Sequence, residues 1–267
     1  MTQRSKRPSQ SDANFRLSED FLPQLEACLN QMSKSRKTEY LKEVVFSKFV
    51  SMDTAPAKVR RQRAINKWLA SERNNEATNV RLMTVSGEYN ILPRVRYDTF
   101  LLTVQRIIRD VLGEVVPADA LNGAFSGGAT TSRKRTEAHP ARKYVGKAHV
   151  TPDALHMAIN QVVGSPAWSS ALDEIELVEG NVLFTVPKNT EIDRCCCKEP
   201  DLNMYLQKGV GNYIRRRLRF AGIDLNDQTR NQSLARIGSR DGSLATLDLS
   251  AASDSICSQL VFWCLPT

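Results

Sequence analysis

The sequence lacks several features that would place it outside the cell or in a membrane. No apolar run among its 267 residues approaches the roughly 20 residues that a membrane-spanning helix needs. Its start, Met1-Thr-Gln-Arg-Ser-Lys-Arg-Pro8, has no apolar segment behind the charges and so differs from a secretory signal. The six cysteines contain no C-x-x-C pair, and the run Cys195–Cys197 suits neither a zinc site nor a disulfide framework. We therefore expect reduced thiols and no membrane-spanning segment.

The sequence does contain an excess of positive charge. Its 37 Lys and Arg residues against 29 Asp and Glu residues give a formal net charge of +8 and a pI of about 9.3. Such a surplus favours a polyanionic partner, either nucleic acid or an anionic membrane surface. No basic amphipathic helix stands at a terminus, so nucleic acid is the expected partner. A hydrophobic content of 41% is enough for a packed core.

The first part of the chain is predicted to be helical behind a mobile basic tail. Residues 1–18 are polar, basic and rich in Ser, which is typical of a mobile terminus. Apolar residues then recur at helical spacing through residues 19–120. The clearest amphipathic helix runs from Tyr97 to a natural stop at Gly113. The other predicted helices here carry apolar positions at Phe21, Leu25 and Leu29, at Leu41, Val44, Val45 and Phe49, and within 56–71.

The second part mixes helices with strands. A long loop rich in Gly, Ser, Thr and basic residues spans 125–140, a length typical of functional or disordered loops. Thr151 and Pro152 begin a helix that is predicted to reach Val163. The further predictions are a strand at 181–186, a helix at 202–220, a turn-rich segment at 222–242, a strand at 243–249 and a helix at 253–265. Helices that feed isolated strands indicate an α+β fold.

The strongest local signal for chemistry is Leu247-Asp-Leu-Ser-Ala-Ala-Ser-Asp-Ser255. An alternating apolar strand that ends at Asp248 can present a carboxylate to an open crevice, and Mg²⁺ prefers such oxygen ligands. Two-metal phosphoryl transfer uses carboxylates of this kind. Asp254 is then near enough to contact a ribose hydroxyl. The same residues also fit an ordinary loop in which Ser253 or Asp254 caps the following helix.

A second signal lies in Thr185-Val-Pro-Lys-Asn-Thr-Glu-Ile-Asp-Arg194. Lys188 and Arg194 follow a strand across a Pro-Lys-Asn turn, and two fixed cations can clamp a triphosphate. Taken alone, the segment fits better two solvated charges at the edge of a hairpin.

Two basic clusters are candidate RNA contacts. One is Arg133-Lys134-Arg135 in the long loop, which has no Gly-Lys-Ser/Thr and is therefore not a Walker A loop. The other is Arg215 and Arg216 with Arg219 on a predicted helix. Consecutive residues point around a helix, so these arginines also fit a solvated face. His139, His149 and His156 have no metal-ligand spacing and are predicted to be structural or surface residues.

Several ordered segments together resemble one family, the RNA-dependent RNA polymerases (replicase beta subunits) of single-stranded RNA bacteriophages of the Q-beta or levivirus type. The resemblance is dense from Phe125 to Ile256 and rests on ordered motifs rather than on any one of them. Those motifs are Phe125-Ser-Gly-Gly-Ala-Thr-Thr131, His139-Pro140, Thr185-Val-Pro-Lys-Asn189, Ile192-Asp-Arg194, Glu199-Pro200, Asn203-Met-Tyr-Leu-Gln-Lys-Gly-Val-Gly211, Gly222-Ile-Asp-Leu-Asn-Asp-Gln228, Asn231-Gln232 and Leu244-Ala-Thr-Leu-Asp-Leu-Ser-Ala-Ala-Ser-Asp-Ser-Ile256.

The resemblance implies a right-hand polymerase. Residues 121–242 would form the fingers region with its nucleotide-clamping segment, and residues 243–267 would begin the palm with motif A. Asp248 would be catalytic and would hold Mg²⁺, with the Leu249 carbonyl as an additional metal ligand. Lys188 and Arg194 would bind the triphosphate, and Asp254 the ribose, of the incoming nucleotide. The basic loops would line the template and product channels.

The resemblance also implies partners and a location. Replicases of this type act on an RNA template and nucleoside triphosphates, with host elongation factors Tu and Ts and a ribosomal small-subunit protein, in the cytoplasm of the bacterial host. No Gly-Asp-Asp motif occurs in the sequence. We therefore expect an N-terminal fragment, without the rest of the palm and the thumb, that binds RNA and nucleotides but is inactive alone. The composition also fits a non-catalytic basic RNA-binding module, or a scaffold whose helical N-terminal half recruits host factors.

Overall fold

A computed structural model describes residues 21–32, 34–48, 55–117 and 120–265. The predicted mobile tail at 1–18 and the predicted apolar position Phe49 lie outside these residues. The chain divides into two compact units. The first comprises 1–67 and 185–196, and the second comprises 68–184 and 197–267.

The described residues form nine α-helices and six short strands, so the predicted α+β character is confirmed. The helices are α1 (Phe21–Gln31), α2 (Arg36–Lys48), α3 (Ala57–Thr84), α4 (Tyr97–Leu112), α5 (Pro152–Val163), α6 (Pro166–Ser169), α7 (Asp201–Phe220), α8 (Thr229–Asp241) and α9 (Ser258–Cys264). The strands are β1 (Asn90–Leu92), β2 (Val95–Arg96), β3 (Gly146–Val150), β4 (Leu172–Leu177), β5 (Val182–Pro187) and β6 (Asp193–Lys198). Short 3₁₀ helices lie at Arg135–Glu137, Pro140–Tyr144 and Ser253–Ser255.

The first unit contains α1, α2, the start of α3 and the distal part of the β5–β6 pair. Ser35 caps α2, because its hydroxyl oxygen accepts a hydrogen bond from the Thr38 backbone N–H at 3.2 Å. Leu29 of α1 and Ala64 of α3 are buried.

The core of the second unit lies around the parallel pair β3–β4. Helices α5 and α7 cover this pair, and the crossover from β3 to β4 runs through α5 and α6. Aromatic rings fill the centre, where Phe125 meets Tyr144, Trp168 and Tyr205 at centroid distances of 4.8, 5.9 and 5.3 Å. The rings meet at steep angles, the arrangement that favours edge-to-face contacts.

The long loop is folded onto this core by a buried lysine. Lys143 is 1% exposed, and its ammonium donates to the carbonyl oxygens of Ser126 and Gly128, both at 2.6 Å. Burial lowers the pKa of Lys143, while Asp201 opposes that change. Gly123 approaches α7 so closely that a Cβ there would lie 2.3 Å from the Tyr205 ring, so no larger residue fits without displacing that ring. The loop is therefore an ordered part of the core.

Helix α7 also fixes the end of α4. The Tyr213 hydroxyl donates to the Leu112 carbonyl at 2.6 Å, and the Arg217 guanidinium donates to the Val111 carbonyl at 2.7 Å. The last carbonyls of a helix have no partner within it, and a cation there also suits the helix dipole. Gly113 ends α4 with a φ of 90°, as the sequence predicts.

Most predicted helices are confirmed, but two predictions are wrong. The helices predicted to end at Gly113 and at Val163 have those ends, and α3 continues to Thr84, beyond the predicted 56–71. The segment predicted to be turn-rich, 222–242, contains α8, a largely polar helix in which only Leu234, Ala235 and Ile237 are apolar, so its apolar pattern is short. The segment 243–249, predicted as a strand, is irregular and exposed, because no strand among the described residues pairs with it.

Across the described parts of the chain, no helix combines the length and the apolar character that crossing a bilayer requires.

Candidate functional site

The predicted triphosphate clamp forms the tip of a hairpin. Strands β5 and β6 pair with each other, and only five residues connect them. Because a connection between parallel strands needs a dozen or more residues, the two strands form an antiparallel hairpin. The backbone N–H groups of Lys188 and Asn189 both donate to the Ile192 carbonyl at 3.2 Å. The Asn189 side-chain oxygen accepts from the backbone N–H groups of Glu191 and Ile192 at 3.0 and 2.9 Å. Asn189 thereby fixes the turn, which leaves the Lys188 side chain exposed.

A buried carboxylate lies behind the hairpin tip. Asp193 is 7% exposed, and its two oxygens accept hydrogen bonds from Arg60 at 3.1 Å and from the Thr185 hydroxyl at 2.9 Å. Arg194 follows Asp193 on β6 and is exposed, as expected for neighbours that point to opposite faces of a strand. Neither Arg60 nor Asp193 was singled out in the sequence. The only signal was the position of Asp193 inside the Ile192-Asp-Arg194 motif.

The predicted metal-binding and ribose-binding residues lie together on another segment, in the second unit. Asp248 is exposed in the irregular stretch 243–249, and Asp254 lies in the 3₁₀ helix at 253–255. Between them Ala251 has a φ of 56°, in the left-handed region that residues with a Cβ rarely adopt. This residue turns the chain sharply between the two carboxylates.

The second half of α3 holds this segment in place. The Asn75 side chain donates to the Asp254 carbonyl at 2.8 Å. The Asn79 side-chain oxygen accepts from the Gln259 backbone N–H at 3.0 Å, and its amide donates to the Ser258 hydroxyl at 3.2 Å. Asn79 therefore caps the start of α9 from another helix, since Gln259 lies in the first turn of α9.

Replacing Asn79 by Ala should loosen the start of α9. The loss of a helix cap costs about 1 kcal/mol, which corresponds to about fivefold faster amide hydrogen exchange at Gln259 if exchange follows local opening. Exchange measured by mass spectrometry on peptides covering 256–264 of the full-length protein checks this. Asn74→Ala, an exposed position on the same helix, is the matched control. Equal protection in Asn79→Ala and Asn74→Ala would contradict the capping role.

The described residues supply only part of a metal site. The Asp248 carboxylate and the Leu249 carbonyl are hard oxygen donors of the kind that Mg²⁺ prefers. However, no group of three or more His, Cys, Asp or Glu residues in the described part of the chain comes together to hold a metal ion. The described residues therefore do not bring a complete metal site together around Asp248.

The basic residues of the long loop differ in their surroundings. The Arg133 guanidinium donates to the backbone carbonyls of Val145 and Lys147, the latter at 3.2 Å. Its Nε is buried and has no hydrogen-bond partner among the described residues. Lys134 and Arg135 are exposed. Arg133 thus connects the loop to β3, while its two neighbours lie at the surface.

The arginines of α7 point in different directions around the helix. Arg216 donates to the Ala120 carbonyl at 2.9 Å and lies 5.7 Å from the centre of the Tyr213 ring. Arg219 lies 3.3 Å from Asp224, and Arg215 is exposed. Arg217, which was not among the predicted RNA contacts, turns inward to the end of α4. Three of the four arginines of this helix are therefore exposed, and Arg217 is partly buried.

The histidines take part in local structure. The His149 ring contacts the Thr131 hydroxyl at 2.9 Å and Glu176 of the neighbouring strand at 3.4 Å. Glu176 also forms an ion pair with Lys147. The Lys147 ammonium, and to a smaller extent His149, lower the pKa of the Glu176 carboxyl. The His139 ring accepts from the Ala141 backbone N–H at 3.3 Å, and His156 is exposed on α5.

Comparison with known proteins agrees with the motif order. The family described as "RNA replicase, beta-chain" matches residues 15–267. The "RNA-directed RNA polymerase beta chain" of Enterobacteria phage GA is 41% identical over 85% of this chain and 44% of its own length. The protein of that name from Escherichia phage MS2 is 50% identical over 61% of this chain and 32% of its own length. The "RNA-directed RNA polymerase subunit beta" of Escherichia virus Qbeta is 37% identical over 86% of this chain and 38% of its own length.

The chain spans less than half the length of these curated relatives. The match nevertheless covers both predicted site segments, the hairpin at 185–194 and the segment at 244–256. This chain belongs to the RNA replicase beta-chain family.

Proposed function

We propose that the protein containing this chain is an RNA-directed RNA polymerase that replicates a single-stranded RNA phage genome. The observation that carries the proposal is its relationship to phage proteins of that name across 85% of the chain. Exposure of the four residues assigned to the reaction, Lys188, Arg194, Asp248 and Asp254, supports the proposal. In this reaction the 3′-hydroxyl of the growing RNA attacks the α-phosphorus of a nucleoside triphosphate, and pyrophosphate leaves.

The hairpin tip serves as the triphosphate clamp. Lys188 and Arg194 carry positive charges on a turn whose backbone is fixed by Asn189 and whose base is fixed by Asp193. Cations on a rigid support stabilise a developing pyrophosphate because they need no rearrangement during the reaction. The clamp thereby orients the incoming nucleotide and lowers the cost of releasing its leaving group.

Asp248 and Asp254 serve the reacting end of the nucleotide. Asp248 would hold Mg²⁺, with the Leu249 carbonyl as a further oxygen donor. When bound, the metal pair would activate the attacking hydroxyl and stabilise the leaving group. Asp254 accepts a hydrogen bond from a ribose hydroxyl, which distinguishes ribonucleotides from deoxyribonucleotides.

The architecture proposed for the whole protein is a right hand. Residues 121–242 contribute to the fingers and residues 243–267 begin the palm. Lys134 and Arg135 of the long loop, with Arg215, Arg216 and Arg219 of α7, contact the RNA backbone, and Arg133 supports that loop. Contacts of this kind are independent of sequence and weaken as salt is added.

The proposed setting is the cytoplasm of the bacterial host, with host elongation factors Tu and Ts and a ribosomal small-subunit protein as partners. Affinity capture of the full-length protein from nuclease-treated host lysate tests the partnership. Recovery of all three host proteins supports it, and their loss after nuclease treatment shows that RNA alone connects them.

Removal of either clamp cation should weaken nucleotide binding. Lys188→Ala and Arg194→Ala each delete a charge-assisted hydrogen bond to phosphate, so we expect the nucleotide KM to rise about tenfold. Steady-state incorporation on an RNA template by the full-length protein measures this. Lys58→Ala, an exposed lysine in the first turn of α3, is a control that should leave KM unchanged.

The same assay separates the polymerase from a non-catalytic RNA-binding module. Salt-dependent RNA binding without any template-dependent incorporation by the full-length protein would overturn the proposed function. Incorporation with unchanged KM in both clamp variants would retain the polymerase but remove the clamp assignment.

A further inference from the structure

The tip of the hairpin, residues 188–193, is attached to the beginning of α3 and to Ala55 just before it by several independent contacts. Within the first unit, Arg60 pairs with Asp193 at 3.1 Å, and the Ala55 backbone N–H donates to the Thr190 carbonyl at 2.9 Å. One turn further along α3, Arg63 donates to the Glu191 carbonyl at 3.0 Å. The contacts therefore include side chains and backbone on both partners.

The Arg60–Asp193 pair differs from an ordinary surface ion pair. Their side chains are 12% and 7% exposed, so solvent screens the attraction little. The guanidinium of Arg60 also donates to the Ala55 carbonyl, so the arginine is held from a second direction. An arginine with two fixed acceptors has one preferred orientation, and its planar fork suits this role better than a lysine ammonium does.

The Arg60–Asp193 pair holds the residue that directly precedes Arg194 of the clamp. Asp193 and Arg194 are adjacent on β6 and point to opposite faces of the strand. The other oxygen of Asp193 accepts from Thr185 on β5, so the aspartate also connects the two strands. A shift of Asp193 would therefore change the direction of Arg194.

We infer that Arg60 is a positioning residue for nucleotide binding: through Asp193 it holds the hairpin so that Arg194 faces the triphosphate. This inference rests on the proposed function, because it takes the exposed face of the hairpin to be the triphosphate site. It assigns to the N-terminal helical region a role in the affinity for nucleotides.

The test is a double-mutant cycle in the full-length protein. Arg60→Ala should raise the nucleotide KM about tenfold and change kcat less than about twofold, since it removes alignment of a binding group. In an Arg194→Ala background, Arg60→Ala should raise the nucleotide KM by less than about a further twofold, because the side chain that Arg60 positions is already absent. Arg61→Ala, an exposed neighbour on the same helix turn, should leave KM and kcat unchanged.

The outcomes separate this inference from the proposed function. A full additional tenfold rise in the Arg194→Ala background, or an unchanged KM in Arg60→Ala while Arg194→Ala raises it, would overturn the positioning role alone. An unchanged KM in Arg194→Ala itself would overturn the clamp assignment and the positioning role together.

A second variant guards against failure to fold, because Arg60→Ala leaves the buried Asp193 carboxylate without its cation. Arg60→Lys keeps the charge but loses the planar fork, and it should raise KM about threefold with a normal thermal unfolding midpoint. If Arg60→Ala is insoluble, Arg60→Lys decides the question: an unchanged KM in that soluble variant refutes the inference.

Discussion

Replacing Asp248 by Asn in the full-length protein is expected to lower RNA-templated nucleotide incorporation by at least about a thousandfold, because loss of a metal-holding carboxylate removes several kcal/mol of transition-state stabilisation. Asn keeps the shape of Asp and removes its negative charge. The nucleotide KM should change much less than kcat, since the substitution leaves the proposed triphosphate clamp, Lys188 and Arg194, intact. Single-turnover incorporation with Mg²⁺ measures the effect directly.

The fold should tolerate this substitution, which makes the result interpretable. Asp248 is exposed and lies in an irregular segment. Thermal unfolding and RNA affinity should therefore remain at the values of the unmodified protein. Asp110→Asn, an exposed aspartate on α4, is the matched control and should leave incorporation unchanged. Activity retained in Asp248→Asn would refute the metal assignment. RNA binding that is unaffected by Asp248→Asn, with no incorporation by the unmodified full-length protein either, would favour an RNA-binding module.

Local patterns predicted most helices of this chain and strand β5, but not the parallel pair β3–β4. The bounds of α4 and α5 follow from apolar spacing, a Thr-Pro start and a Gly stop, all of which act within a few residues. The parallel pair β3–β4 joins two short segments separated by α5 and α6. Its first strand, Gly146–Val150, contains a glycine, a lysine and a histidine, so it lacks a recognisable strand pattern. Such pairing depends on the tertiary fold rather than on the strand itself.

The segment 243–249 is the opposite case, since it has the pattern of a strand but does not form one. Its apolar alternation is clear, yet a strand needs hydrogen-bonding partners, and none is present among the described residues. Leu247 and Leu249 are 84% and 73% exposed. Their alternation indicates a preference for strand structure that only a pairing partner would satisfy.

The candidate site was predictable only where its residues are close in sequence. Lys188 and Arg194 share one turn, so a single motif identifies both. The support from Arg60 spans 133 positions in the sequence. Arg60 also stands beside Arg61 and Arg63 in a basic stretch, and nothing local shows which of them turns inward. Long-range partners of this kind become visible only when the fold is known.

The largest effect on stability is expected at Asp201, which the sequence did not single out. Asp201 is fully buried at the start of α7, where its oxygens accept from the Thr130 hydroxyl at 2.6 Å and from the His149 backbone N–H at 3.1 Å. It therefore joins the long loop, β3 and α7. A carboxylate at this position also interacts favourably with the helix dipole.

Asp201→Ala should cost about 3 kcal/mol, because it leaves two buried donors without an acceptor. The His149 amide, which is hydrogen-bonded to Asp201, should then exchange with solvent about a hundredfold faster. Hydrogen exchange of peptides covering 145–151 in the full-length protein, together with the thermal unfolding midpoint, measures the loss. Asp201→Asn should have a smaller effect, because the amide keeps one acceptor oxygen for the backbone N–H of His149 or the hydroxyl of Thr130.

Asp153 provides the matched control, since it occupies the first turn of α5 but is exposed. Asp153→Ala removes a similar interaction with a helix dipole and leaves no buried donor, so it should not change exchange at His149 measurably. If Asp201→Ala and Asp153→Ala behave alike, Asp201 acts only through the helix dipole. If only Asp201→Ala accelerates exchange, the two buried hydrogen bonds of Asp201 hold the long loop and β3 against α7. The position of the basic residues in the long loop then depends on Asp201.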